Sequence, residues 1–427
     1  MAGYDELDFY TDRSLLDDPY PYLSHLREKC PVVHLPQHDV MAITPYEECA
    51  TALRDHETFS SINSVSGPFP GFSTKPEPGE DIDAFVGRHR GELPMNEYVV
   101  TMDPPDQAAH RGLVMRLLTP KRMRENEAFI WELADRQIDE FLPSGRVEVL
   151  QEFAEPFALL VIADLLGVPE EDHQEFRKHL IKLVELTEQS EERRMSRDPL
   201  AYLQGVFAEY IEERRRSPRQ DVLTRLATTT YPDGSVPEVE VVCRMATFLF
   251  AAGQDTTAKL ITTALRYLAE DPEVQRRLRA DPSGVPNFVE EVLRHHGVVK
   301  HIGRFARRST VLGGVEIAAG SSVGIFPSAA NRDPARFENP DEFCPDRPNA
   351  SEHLAFGRGI HACPGAPLSR VEARVAVERF LARTSDIRID EAHHGPAGAR
   401  RFEHDPIYIM HGLRSLHLEL DPAGDAR

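Results

Sequence analysis

FGRGIHACPGAPLSRVEARVAVERFLAR, residues 356 to 383, is the stretch on which the reading of this chain turns. Cys363 is one of five cysteines in 427 residues. It stands between a glycine-punctuated loop (Gly357, Gly359) and a run with the composition of a helix. A thiolate is a strong, soft metal ligand that needs help to stay ionised. A helix N-terminus just beyond it offers the positive end of a dipole and unpaired backbone N–H groups. Glycine has no side chain to clash, so the loop backbone can approach a flat ligand closely. Phe356 is placed to shield the sulfur.

Composition bounds the rest. Apolar residues make up 41% of the chain, enough for a large core. No linker divides it, so a single unit over 1–427 is expected. With 49 basic and 70 acidic residues the net charge is -21, which argues against a general nucleic-acid binder. The N-terminal MAGYDELDFYTDRS is acidic and lacks the hydrophobic core of a signal peptide or anchor. FALLVIADLLGV and MATFLFAAG are too short to span a bilayer. Cys30, Cys49, Cys243 and Cys344 occur singly, which suits free thiols in a reducing cytoplasm. No membrane association is expected.

Patterning predicts a mostly α fold with small β-sheets. VMAIT (40–44) reads as a strand, and Thr44, Pro45 and Glu47 then read as N-cap, N1 proline and N3 acid of a helix. Residues 61–100 hold five prolines and five glycines and read as a long irregular, lid-like loop. From 104 to 226 the pattern is almost entirely helical, with breaks near 119–120, 143–145, 167–169 and 217–218; the helical core is expected to run on to about 300. The longest periodic segment spans about 237–270, where Asp271-Pro272 stops it. Residues 304–326 turn strand-like around a Gly313-Gly314 hairpin turn.

Within the long helix, Ala252-Gly253-Gln254-Asp255-Thr256-Thr257 conflicts with its setting. A helix-interior glycine costs about 1 kcal/mol relative to alanine, and such local conflicts mark functional sites. Threonine hydroxyls can bond carbonyls one turn back and loosen the helix. Glu291 and Arg294, at i and i+3, share a helix face.

F-G-x-G-x-H-x-C-x-G, here Phe356, Gly357, Gly359, His361, Cys363 and Gly365, resembles the haem-binding signature of the cytochrome P450 monooxygenases. Other motifs follow that family's order. Ala252 to Thr257 resembles its oxygen-binding segment, Glu291-x-x-Arg294 its E-x-x-R pair, and Phe343 to Arg347 its F-x-P-x-R segment; Asn331-Arg332-Asp333 fits between the last two. The resemblance implies the cytochrome P450 fold with haem b held by Cys363. It casts Thr256 as the hydrogen-bonding partner of activated oxygen and Asp255 as its proton conduit, with Ala252 and Gly253 at the groove beside them. Retention of both favours monooxygenation. Glu291, Arg294 and Arg347 would form a buried network supporting the ligand loop. His361, Arg304 and Arg111 match positions that bind the haem propionates, and a guanidinium suits a carboxylate through paired hydrogen bonds. Two departures stand out: Gln107, still able to donate a hydrogen bond to a propionate though without charge, where many relatives have histidine, and Ser369 where alanine is usual.

The resemblance further implies one oxygen atom from O2 inserted into a hydrophobic small molecule (terpenoid, steroid-like or aromatic) by a cytoplasmic monomer. No flavin or reductase region follows residue 370, so NAD(P)H electrons are expected through a separate ferredoxin and ferredoxin reductase. Arg116, Lys121, Arg122, Arg124 and Arg358 are the expected docking cations. The alternatives are a peroxygenase using hydrogen peroxide and a haem-based sensor without turnover. Pocket walls are expected from 61–100, 176–207, 250–256, 298–302 and 407–410. Lys300 and His301 are expected to point to solvent, since lysine stems carry their charge to water.

Overall fold

A five-stranded sheet, ordered β1-β2-β8-β5-β3, gathers segments far apart in the chain: β1 (Val32–Leu35), β2 (Val40–Ile43), β3 (Phe59–Ser60), β5 (Ile302–Ala306) and β8 (Ser322–Ile325). β2 and β8 run parallel, with Val40 opposite Ser322, and every other pairing in this sheet is antiparallel. β6 (Thr310–Leu312) and β7 (Val315–Ile317) form the expected hairpin, with Gly313 and Gly314 at φ +57° and +80° in its turn. Both values lie in the left-handed region that two-residue hairpin turns require. A third sheet pairs β4 (Arg146–Glu148), β10 (His417–Pro422) and β9 (Thr384–Ile389). These features belong to a computed structural model that describes residues 3–69, 71–168, 172, 201–231 and 233–424.

The core is helical. Its central helix, Val239–Glu270, has 32 residues and is therefore about 48 Å long. It packs against Glu155–Leu166, Ala201–Arg216 and Ala366–Arg383. Its buried residues include Leu249, Phe250, Leu260, Ile261 and Leu265, so most of its circumference faces protein. A helix buried on nearly all sides needs no polar stripe. Among the described residues, no helix is long and apolar enough to cross a membrane.

Three expectations are corrected. The Tyr46–Arg54 helix is not capped by Thr44, whose buried hydroxyl has no partner; Asp333 instead accepts from the Tyr46 N–H at 2.8 Å. The cap comes from 287 residues away, beyond any local pattern. Residues 61–100 are not wholly irregular: Ile82–His89 is a helix, its N-terminus capped by Asp81. Ile82, Phe85 and Val86 bury one face of it beside Phe72 and Phe305. Finally, just past the expected break near 143–145, β4 and a π-helical turn (Val149–Ala154) stand in the segment read as almost entirely helical. β4 exists because β10, at the other end of the chain, pairs with it.

Candidate active site

The ligand loop is held by its own backbone. The Gly357 N–H donates to the Leu354 carbonyl at 2.9 Å and the Cys363 N–H to the Phe356 carbonyl at 2.8 Å. Gly359, at φ +74°, lies so close to the preceding layer that a Cβ would meet the Leu53 carbonyl oxygen at 2.6 Å. Cys363 is exposed to open space just ahead of the Ala366–Arg383 helix. Protein nonetheless surrounds the thiol on its other sides, and that burial pushes its pKa up. The Gly365 and Ala366 N–H groups and the Arg111 and Arg370 charges pull the other way without prevailing. Phe356 sits beneath the loop with the Arg370 guanidinium 4.6 Å from its ring centre.

Four polar residues surround this floor. Gln107 is buried and donates to the Ile360 carbonyl at 2.8 Å, and Arg111 donates to the Ala362 carbonyl. Both were expected at the propionates; these bonds instead brace the ligand loop from the Asp106–Leu117 helix. His361 carries a buried Nε2 with no protein partner. Burial, then the charges of Arg304 and Arg111, pushes its pKa down to about 3. Arg304 is buried, donates through Nη1 to the Gly303 carbonyl at 2.8 Å, and is pushed down to about 10 by that burial.

On the central helix the Thr256 hydroxyl donates to the Ala252 carbonyl at 2.8 Å, and Ala252 itself is exposed within an otherwise buried helix. Gly253 packs on Ile162, whose Cδ1 a Cβ there would approach to 3.4 Å. One turn on, the Thr257 hydroxyl donates to the Ser369 hydroxyl at 3.2 Å and ties this helix to the one following Cys363. The serine that departs from the family pattern thus makes a contact alanine could not.

Asp255 is not free. The Lys259 ammonium lies 2.9 Å from its carboxylate and 2.5 Å from that of Asp405, with the lysine side chain 5% exposed. Burial works against the ammonium, but the two acids outweigh it and raise its pKa. Glu155, at the start of the neighbouring helix, is pushed up to about 7, mainly by burial, with Asp255 and Asp405 adding to the effect and Lys259 opposing it. Gly412 admits the lysine stem: a Cβ there would lie 2.3 Å from Lys259 Cδ. Lys259, Asp405 and Glu155 were not singled out from the sequence. The i, i+4 spacing of Asp255 and Lys259 was the available signal.

The expected network of Glu291, Arg294 and Arg347 is formed. Arg294 donates twice to Glu291, at 2.7 and 2.8 Å, and Arg347 Nε donates to the same carboxylate at 3.1 Å. Arg294 also reaches the carbonyls of Asn331, Pro340 and Glu342, so its donors are spent. Asn331 accepts from the Leu354 N–H at 2.6 Å, passing the bracing on to the start of the ligand loop.

Other expectations change. Lys300 and His301 do not point to solvent: they are 2% and 1% exposed. The C-terminal segment covers them, with the Lys300 N–H donating to the Ile409 carbonyl at 2.8 Å, and His301 Nε2 lies 3.2 Å from the Tyr10 hydroxyl. Of the basic positions, Arg122 donates to the Asp164 carbonyl and Arg358 to the Tyr46 hydroxyl and Glu352 carbonyl. Arg116, Lys121 and Arg124 remain exposed. Most of the 176–207 wall lies outside the described residues.

An exposed thiol at the head of a helix, with an imidazole whose Nε2 is unpartnered and a buried guanidinium nearby, fits an iron macrocycle bearing carboxylates. The thiol suits the iron, and His361 Nε2 and Arg304 suit the carboxylates. Such a floor and rim on a mostly helical scaffold define a haem-thiolate protein. Comparison with known proteins narrows this class. A family model described as Cytochrome P450 matches residues 72–385. Cytochrome P450 109 of Bacillus spizizenii is 31% identical over 408 residues, 94% of this chain and 92% of its own. PikC, a cytochrome P450 monooxygenase of Streptomyces venezuelae, is 32% identical over 87% of this chain and 85% of its own. The substrate-free structure of CYP150A6 from Mycobacterium marinum superposes with a TM-score of 0.92 at 52% identity, covering 99% of this chain and 100% of that one. The chain belongs to the cytochrome P450 family of haem-iron monooxygenases.

Proposed function

We propose that this chain is a single-unit haem b monooxygenase acting on a hydrophobic small molecule of the steroid or terpenoid kind. The observation that carries this reading is the exposed Cys363 thiol with the unpartnered His361 Nε2 two residues before it on the same loop. Bound haem supplies the oxygen-activating chemistry through its thiolate-ligated iron. Cys363 holds the iron, and the Gly365 and Ala366 N–H groups stabilise its charge. His361 and Arg304 take the propionates. Gln107 and Arg111 act one step back, fixing the loop that carries Cys363. Thr256 orients a proton toward the groove at Ala252, and Asp255 refills it after leaving Lys259. A steroid-like substrate is supported by a relative, CYP109E1 from Bacillus megaterium, solved in complex with corticosterone at 25% identity and a TM-score of 0.78.

Electrons from NAD(P)H arrive through a separate ferredoxin and its reductase, with Arg116, Lys121 and Arg124 as the docking cations. The test pairs two measurements. Dithionite-reduced protein with carbon monoxide should show a strongly red-shifted Soret band that Cys363→Ser loses. Oxidised steroid should then form only with NADH, O2 and both redox proteins. Product formed from hydrogen peroxide alone at a comparable rate would replace this reading with a peroxygenase.

A further inference from the structure

Away from the haem site, His296, His404 and His411 bring their ring nitrogens within 4.8 Å of one another. They come from separate parts of the chain. His296 ends the Val285–His295 helix. His404 and His411 flank the turn of a C-terminal hairpin, joined by the Asp405 N–H to Gly412 carbonyl bond at 3.0 Å and the His404–Leu413 bridge. The His411 N–H donates to the Val298 carbonyl at 2.7 Å, which docks that hairpin beside His296.

What distinguishes the cluster is its unspent donors and acceptors. His296 Nε2, His404 Nε2 and a ring nitrogen of His411 are buried without a protein partner. A buried polar group left unpaired is costly, so three imidazoles sharing that state in one place call for an occupant. His404 shows the orientation a metal ligand needs: its Nδ1 lies 3.1 Å from the Asp17 carboxylate while Nε2 faces inward. A carboxylate behind one ring nitrogen fixes the tautomer that leaves the other free to ligate. The neighbouring guanidinium groups also have partners of their own, Arg266 over the Phe402 ring at 4.1 Å and Arg332 on the His295 carbonyl at 2.8 Å, with Arg332 also 3.4 Å from the centre of the Tyr20 ring.

We propose that His296, His404 and His411 form a transition-metal site of the class that takes Zn2+, with water completing a four-coordinate shell. Zinc–imidazole bonds of about 2.0–2.1 Å in a tetrahedron set the nitrogens about 3.4 Å apart. Closure from the 4.8 Å limit therefore asks for up to about 1.4 Å of contraction. The rings now stack, His411 lying 4.2 Å from His296 and 4.3 Å from His404 between centres, so each must turn edge-on to the ion. The site would staple the C-terminal hairpin, and with it residues 407–410, to the helix end at His296.

The experiment uses haem-loaded, chelator-treated protein, titrated with Zn2+ by calorimetry and then gel-filtered for zinc and iron analysis. One zinc per haem iron is expected. Its affinity should fall at least tenfold in His404→Ala and His411→Ala, and stay unchanged in His393→Ala, which disrupts the stacked His393–His417 pair elsewhere. The haem spectrum of each variant checks that it has folded. Should the buried variants fail to fold, zinc X-ray absorption of the wild type decides the matter: three nitrogen ligands near 2.0–2.1 Å are expected. Zinc retained at under a fifth of an equivalent, binding unaltered by His404→Ala, or a shell of oxygens alone would overturn the proposal and leave the cluster to water.

Discussion

Lys259 and Asp255 are bonded at 2.9 Å one turn apart on the central helix, and the same ammonium holds Asp405 from the C-terminal hairpin. The proposed proton conduit is therefore tied to the C-terminal hairpin. Removing one partner of a fully buried ion pair costs about 3–5 kcal/mol, but the Asp255 side chain is 42% exposed and that of Asp405 20%, so water screens part of the charge left behind. Lys259→Met should lose about 1–3 kcal/mol in denaturant unfolding, and adding Asp405→Asn should recover part of it. A loss below about 0.5 kcal/mol, the size of an exposed pair, would mean that the three groups are solvated.

Glu155 gives a signature in pH. Its folded pKa of about 7 lies above the ordinary value of 4.5, so the folded state binds more protons than the unfolded chain between these limits. Its contribution to stability is present below pH 4.5 and is lost as pH rises through 7. The buried histidines pushed below 6.5, His361 among them, act in the opposite sense. The difference between wild type and Glu155→Gln isolates the acid: wild type should lose melting temperature relative to the variant from pH 5 to 8. A constant difference would refute the assignment.

Lys300 makes a contrasting case. Among the described residues it has no ion-pair partner, and burial pushes its amine down to about 8 from 10.5. The unfolded chain holds the extra proton between those values, so stability should rise with pH across that window and carry the full penalty below 8. The difference of about 2.5 pKa units corresponds to roughly 3 kcal/mol at most. Lys300→Met should therefore raise the melting temperature at pH 7, by an amount that shrinks towards pH 10. A destabilised variant would show that the amine has a partner worth more than its burial costs.

Glu291 neutralises two guanidinium groups at once. Glu291→Gln should lower the haem-to-protein ratio of purified material several-fold and cost about 3–5 kcal/mol. Full haem occupancy at wild-type stability would count against a supporting role.

Arg116→Glu with Arg124→Glu should slow reduction by ferredoxin at least tenfold at low salt, the gap closing as ionic strength rises. Both side chains are exposed, so a folding defect is not expected. Unchanged stopped-flow rates would move the docking face elsewhere.

The parts of this molecule legible in its sequence are those in which function is written locally. The Cys363 loop, the Ala252–Thr257 segment and the Glu291–Arg294 pair each fit in a few consecutive residues. What escaped reading depends on distant partners. Asp333 caps a helix 287 residues upstream, β4 waits for β10, and Lys300 is buried only because residues 409–411 fold over it. The Ile82–His89 helix was hidden differently, its three apolar anchors outweighed by the prolines and glycines around them. No window of local sequence carries such information, since tertiary contacts decide it.

Gly412 has a reach that its place in a turn does not suggest. A side chain there would press on the Lys259 stem, its Cβ falling 2.3 Å from Cδ, and would disturb the ammonium's hold on both acids. A change at this one turn position would therefore be felt at Asp255, on the central helix.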